Sequence, residues 1–177
     1  TLGSKVVPGQ DRVELNGALV EGNRIQWVLL NKPRGLVTTR QDPEGRKTVY
    51  DLLPPEARPL RYVGRLDLLT EGLLLFTNDG EVLHRLTHPS FEVEREYEAW
   101  VQGSPGRGTV RALQKGVELD DGPARAERVL VEGPTREGTR VSLVLKEGRN
   151  REVRRLLEAV GHPVLRLRRV RFGPVRL

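Results

Sequence analysis

Apolar positions along the chain fall into three kinds of pattern. The first is a continuous run. Leu73 to Thr77 is too short for an independent helix and is bounded by Gly72 and by Asn78-Asp79-Gly80, so it predicts a buried strand. The second is alternation: Phe91, Val93, Arg95, Tyr97, Ala99 and Val101 alternate with Glu92, Glu94, Glu96, Glu98 and Trp100, which predicts a strand with one acidic face. Arg95 and Tyr97 are the polar members of the apolar face, a break expected where a strand enters a site. A rim arginine and a core tyrosine with a bonded hydroxyl account for the same break. The third is helical spacing. Val153, Leu156, Leu157 and Val160 follow i, i+3, i+4, i+7, and Gly161 and Pro163 end the helix. On it Arg151 and Arg155 fall opposite the apolar stripe, whereas Arg154 falls at the stripe's border and can reach inward.

Weaker signals complete the picture. Ile25 to Leu30 reads as a strand stopped by Asn31-Lys32-Pro33-Arg34-Gly35. Asn78 or Asp79 is placed to cap a short helix from Glu81 to Leu86, ended by His88-Pro89, and Thr109 to cap one reaching Lys115. Val129 to Val131 and Val141 to Leu145 are strands on either side of a turn at Gly133 to Gly138, and Val164 to Val170 is a closing strand. Val6 to Val20, with turn signals at Pro8-Gly9 and Asn16-Gly17, predicts a small β appendage. Many strands with interspersed helices and hairpin turns argue for an α+β fold with a largely antiparallel, mixed sheet.

Composition narrows the function classes. At 177 residues the chain supports one substantial core or two small lobes sharing a cleft. It has no cysteine, which excludes disulfides and thiol-ligated metal sites. No apolar stretch approaches the ~20 residues of a membrane span, and the first residues lack a signal-peptide pattern, so a soluble, cytoplasmic protein is expected, with a monomer as the default state. The absence of a starting methionine and the strand-like end imply a piece of something longer. The net charge of +6 is uneven: residues 149 to 177 hold nine arginines against Glu152 and Glu158. Such a footprint fits an anionic partner, nucleic acid above all, and fits a solvated, salt-bridged surface equally well.

Candidate chemistry is sparse. His84, His88 and His162 are far apart in sequence, so no metal site is expected, and no hydrolase elbow, Walker loop or dinucleotide fingerprint is present. What remains is Asp67, on a short polar loop directly before the buried run, together with arginines and a tyrosine. A lone loop aspartate is ordinarily a turn former.

The surrounding residues change that weighting. Gly64-Arg65-Leu66-Asp67-Leu68-Leu69-Thr70-Glu71-Gly72-Leu73-Leu74-Leu75-Phe76-Thr77-Asn78-Asp79-Gly80 closely resembles the signature of ribosomal pseudouridine synthases of the RsuA/RluB type, departing only in Phe76 for the usual leucine. Asn31-Lys32-Pro33-x-Gly35 resembles the family's first motif, and Arg95-Glu96-Tyr97 its basic-x-Tyr strand. Glu147-Gly148-Arg149-Asn150-Arg151-Glu152-Val153-Arg154-Arg155-Leu156 resembles its third motif, and Leu165-x-Leu167-x-Arg169-Val170-x-x-Gly173 continues it. The Asn-Arg-Glu-Val-Arg-Arg-Leu form is most like the RluB branch, which modifies large-subunit rRNA. Residues 1–22 resemble the end of an S4-type RNA-binding domain, leaving 23–177 as the catalytic domain.

The resemblance implies the family's fold, with flanking helices and a central RNA-binding cleft, and isomerisation of a uridine in 23S rRNA to pseudouridine without a cofactor. It implies that Asp67 is the essential carboxylate, as nucleophile at C1′ or as base at a sugar proton. Tyr97 is expected against the uracil face, and Arg154 paired with Asp67. Lys32, Arg34, Arg65, Arg95, Arg149, Asn150, Arg151 and Arg155 are expected to contact RNA. A non-catalytic rRNA-binding module accounts for the basic C-terminus but gives no reason for Asp67 and Tyr97.

Overall fold

The computed structural model describes residue 7, residues 11–19 and residues 24–177. At the start, β1 (Glu14–Leu15) and β2 (Ala18–Leu19) form a hairpin across Asn16 and Gly17, whose φ of 52° and 80° are the left-handed values an Asn-Gly turn supplies. The rest of the segment assigned by sequence to an S4-type remnant, residues 1–6, 8–10 and 20–22, lies outside the described residues.

The main chain path then runs β3 (Trp27–Lys32), β4 (Arg61–Val63), β5 (Thr70–Thr77), α1 (Gly80–Thr87), β6 (Arg95–Val101), α2 (Arg107–Lys115), β7 (Val117–Leu119), β8 (Gly122–Ala124), β9 (Arg128–Thr135), β10 (Gly138–Leu145), α3 (Glu152–Ala159), β11 (Val164–Phe172) and β12 (Val175–Arg176). Six strands form the spine of an eight-stranded sheet in the order β3-β5-β11-β6-β10-β9. Every pairing is antiparallel except β5 with β11, so the expected mixed, largely antiparallel α+β architecture holds. Along one edge of β5, β11 covers Thr70 to Gly72 and β4 covers Leu75 to Thr77. The sheet forks there. Gly72 stands at the fork with a φ of 103°, and a Cβ would lie 2.2 Å from the Arg169 carbonyl oxygen. Only glycine permits that approach.

Three buried clusters flank the sheet. One, around Leu143, Leu156 and Leu157, belongs to the C-terminal half, and one, around Val49, Leu74 and Phe76, to the N-terminal half. A third gathers Val63, Leu73, Leu75 and Phe172. Tyr97 packs against both of the first two, at the seam between the halves.

Local chemistry explains where elements start. Asp79 caps α1 by accepting from the Glu81 and Val82 amides. The strand expected from Phe91 begins only at Arg95, because Pro89–Phe91 is a 3-10 turn and Glu92 adopts a left-handed φ of 47°. The α2 helix begins at Arg107 behind Gly106, two residues ahead of the expected cap.

The closing strand departs most from simple alternation. In the β11–β6 register Leu165 and Val170 have no partner, and the pairing shifts at each. These bulges reset the faces. Arg166, Arg168 and Arg171 pair across from Trp100, Glu98 and Glu96, whereas Leu167, Arg169 and Phe172 pair across from Ala99, Tyr97 and Arg95. The acidic face of β6 therefore meets a basic face of β11. Arg171 donates to Glu96 at 2.9 Å and Glu94 at 2.8 Å, and Arg166 to Glu71 at 3.0 Å and Glu137 at 2.8 Å while lying 4.7 Å over the Trp100 ring.

Candidate active site

A cleft of about 380 Å³ opens at the seam, lined among others by Arg65, Asp67, Thr70, Arg95, Tyr97, Arg151 and Arg169. One wall is the loop between β4 and β5. Each of its five carbonyls from Leu66 to Thr70 accepts a hydrogen bond. Thr38 Oγ1 donates to Leu66 O at 2.7 Å, Gly35 N to Leu68 O at 2.8 Å and Arg154 Nη2 to Leu69 O at 3.2 Å. Lys32 Nζ donates to Asp67 O at 3.1 Å and to Thr70 O at 2.8 Å. A backbone pinned at five consecutive carbonyls is held still, and the half-buried Asp67 lines the cleft from it.

Lys32 is thus a correction to expectation. It is fully buried, its third proton goes to Pro33 O at 3.1 Å, and it has no reach to RNA. Burial pushes its pKa down to about 8, against the opposing pull of the Asp67 and Glu71 charges.

Arg154 is a second correction. It is buried, as its place on the stripe allowed, yet it does not form an ion pair with Asp67: Nη1 donates to Val164 O at 3.3 Å and Nη2 to Leu69 O. It fixes the loop and β11 to α3. Burial and the neighbouring Arg151 charge lower its pKa, and the Asp67 charge opposes them, so the two groups sense each other without touching.

The opposite wall comes from β6 and the loop before α3. Arg95 is buried and ties three elements together, donating to Val93 O and Lys146 O from Nη1 and to Leu86 O from Nη2, at 2.9, 3.0 and 3.1 Å. It lines the cleft as part of its frame and is not the surface RNA contact expected of it. Gly148 passes over it, a Cβ there meeting Arg95 Nε at 3.4 Å. Glu152, buried at the start of α3, accepts from the Arg149 amide at 3.1 Å, and burial raises its pKa. Arg151 takes a left-handed φ of 48°, a strained value for a non-glycine residue, and lines the cleft.

The remaining candidates divide. Arg149 donates to the Gly122 and Pro123 carbonyls and to Glu147, and Arg155 forms a two-pronged pair with Asp121 at 2.7 and 2.9 Å. Both are engaged with protein groups, although Arg149 also lines the cleft. Arg34, Arg65, Asn150 and Arg151 are exposed, and the last three line the cleft.

Two cleft residues had no expected role. Thr70 is buried on β5, and its Oγ1 has no hydrogen-bond partner among the described residues. Arg169 is buried directly across from Tyr97, and burial pulls its pKa down against the opposing pull of the neighbouring Tyr97 hydroxyl. Period-two reading of Val164 to Val170 would set Arg169 opposite to Arg166 and Arg168 as a matter of parity, but not toward a site. The only available signal was its place in the family-like Leu-x-Arg segment.

A carboxylate on a fixed loop that shares its cleft with a tyrosine and the buried guanidiniums of Arg95 and Arg169 is equipped for acid, base or nucleophilic chemistry on a polar substrate. A sequence model described as RNA pseudouridylate synthase matches residues 26–159, and the chain belongs to that family. It is 40% identical over 179 residues to ribosomal large subunit pseudouridine synthase B of Bacillus subtilis, covering 99% of this chain and 72% of the relative. It is 47% identical over 184 residues to the protein of the same name from Yersinia pestis, covering 99% of this chain and 58% of that one. A crystal structure described as pseudouridylate synthase superposes with a TM-score of 0.76 at 28% identity, over 99% of this chain and 75% of the other. No helix among the described residues is long and apolar enough to cross a membrane.

Proposed function

We propose that this protein isomerises a uridine of large-subunit rRNA to pseudouridine, with Asp67 as the essential carboxylate. The observation that carries this reading is the Asp67 loop: five consecutive carbonyls are tied down so that one carboxylate is presented, held by its backbone, across a cleft from Tyr97. The names of the relatives support the rRNA substrate.

In this reading the target nucleotide leaves its stack to enter the cleft, at a cost of a few kcal/mol. Asp67 acts at the sugar as nucleophile or base while the bond from N1 to C1′ breaks. The detached uracil turns, C5 joins C1′, C5 loses its proton and N1 gains one. Tyr97 lies against the base, offering a ring for stacking and a hydroxyl for proton exchange. Arg154 contributes by holding the loop, not by pairing with Asp67. Arg34, Arg65, Asn150 and Arg151 are the exposed groups that meet phosphate or sugar. No cofactor enters this scheme, and a monomer in the cytoplasm satisfies it. Residues 1–22 supply the end of an S4-type RNA-binding domain.

Incubating unmodified large-subunit rRNA with the protein tests the assignment. A uridine isomer of unchanged mass in a chain of unchanged length is the expected result. RNA binding without any isomer would favour a non-catalytic binding module.

A further inference from the structure

Arg169 has an unmet donor at the inner end of the cleft. The residue is 2% exposed and lines the cleft beside Asp67 and Tyr97. Its Nε donates to Leu73 O at 2.9 Å, at the fork of the sheet, and its guanidinium carbon lies 4.7 Å from the centre of the Phe172 ring. Held by a carbonyl and a ring, the group is not free to swing. Its Nη2 is buried without a hydrogen-bond partner among the described residues, as is the hydroxyl of Thr70 on the adjacent strand, which also lines the cleft. A buried charged donor left unpaired is costly, and an immobile cation facing a reaction cleft is suited to charge that appears only during reaction.

The partner for Nη2 must accept a hydrogen bond, lie against Tyr97, and carry negative charge at some stage. Uracil does all three. Its carbonyls O2 and O4 stand symmetrically about the line through N3 and C6, and a half-turn about that line exchanges N1 with C5 and O2 with O4. We propose that Arg169 is the residue that holds the base, donating from Nη2 to one uracil carbonyl before the turn and to the other after it. The inference rests on the uridine-isomerising reading above. When the N1 to C1′ bond breaks, its electron pair stays with the ring, and the negative charge is shared among N1, O2 and O4. The fixed guanidinium neutralises that charge in both orientations without moving. The ring then uses an electron pair at C5 to form the C5 to C1′ bond, C5 loses its proton and N1 takes one up. Arg169 also discriminates against cytosine, whose amino group would put donor against donor in one of the two orientations.

Sulfur is a weaker acceptor than oxygen, which gives the test. Transcripts of large-subunit rRNA are made with uridine, 2-thiouridine or 4-thiouridine, and single-turnover conversion to the C-glycoside is followed by nuclease digestion and chromatography. With the unaltered protein each thio substitution is expected to slow conversion about tenfold. Arg169→Gln is expected to slow conversion of the uridine transcript about a hundredfold and to shrink both thio penalties to within about twofold. Thio penalties of equal size in the two proteins would overturn the proposal, since a residue acting only through the fold leaves them unchanged. So would the absence of any penalty in the unaltered protein, a result that holds even if Arg169→Gln fails to fold. No conversion of the plain uridine transcript by the unaltered protein would instead overturn the isomerase reading beneath it.

Discussion

Arg169 and Arg171 are two residues apart on β11, yet what surrounds them differs in kind. Arg171 lies between two carboxylates, Glu94 and Glu96, on the face where basic and acidic strands meet. Arg169 has a backbone carbonyl, an aromatic ring and a tyrosine across the sheet. The bulge at Val170 separates them, because without the extra residue both would point the same way. The same division runs through the molecule. Arg149, Arg155, Arg166, Arg171 and Arg176 have carboxylate partners, whereas Lys32, Arg95, Arg154 and Arg169 are buried near the cleft on carbonyls. Paired arginines neutralise a face and hold strands together. Buried arginines without a carboxylate give the cleft a standing positive field that only a substrate carrying negative charge can complete.

The most severe way to break this contrast is to remove the acid presented by the pinned loop. Asp67→Asn is expected to lower pseudouridine formation by about four orders of magnitude, while RNA affinity stays within about twofold, measured by isomer yield and filter binding. Next is a swap between the classes. Arg154→Ala leaves the Leu69 and Val164 carbonyls without their donor and should cost about 2–4 kcal/mol of stability and at least tenfold in turnover. Arg155→Ala removes an exposed pair with Asp121 and should leave both nearly unchanged. Equal modest losses in thermal melts and rates would erase the distinction between buried and paired arginines.

On the paired face the effect is smaller and depends on pH. The Arg171 guanidinium holds the Glu94 carboxyl below its ordinary value. A folded-state value depressed below the unfolded one adds stability that is present above the unfolded value and is lost as pH falls through the folded one. Glu94→Gln should therefore lower the melting temperature at neutral pH, and its difference from the unaltered protein should fade as acid protonates Glu94 below the ordinary glutamate range. The mildest test concerns salt. With most C-terminal arginines engaged internally, few remain for phosphate, and log K against log salt should have a slope of about −2 to −3 instead of the steeper value nine free arginines would give. A slope near −6 would mean that the paired arginines release their carboxylates to RNA.

Sequence pattern carried the elements whose own residues decide them. The Asp79 cap, the buried Leu73 to Thr77 run and the Val153, Leu156, Leu157, Val160 stripe all appear as read, since capping and periodicity are local. It located Asp67 and Tyr97 in one cleft through motif resemblance. It could not locate partners. Arg154 was placed correctly at the border of its helix, but phase gives direction and not the acceptor, and the nearest acceptor was the carbonyl of Leu69, two residues beyond Asp67. Lys32 and Arg95 read as RNA contacts because charge in a motif points outward by default, whereas here it ties down backbone. The bulges at Leu165 and Val170 have no composition signal, since neither residue is glycine or proline, so the face that Arg171 occupies became known only from the register.

The fork at Gly72 bears on how the protein is made. The β11 strand lies at the middle of the sheet, joined to β5 about a hundred residues upstream and to β6 on its other side. Until Val164 to Phe172 inserts, β5 and β6 each present an open edge, and the two walls of the cleft belong to halves with no strand between them. A nascent chain would thus carry Asp67 and Tyr97 on the ribosome well before they face each other. Contacts so distant in sequence are slow to form. Catalytic competence should await the insertion of β11, timed by one strand whose seat requires a residue with no side chain.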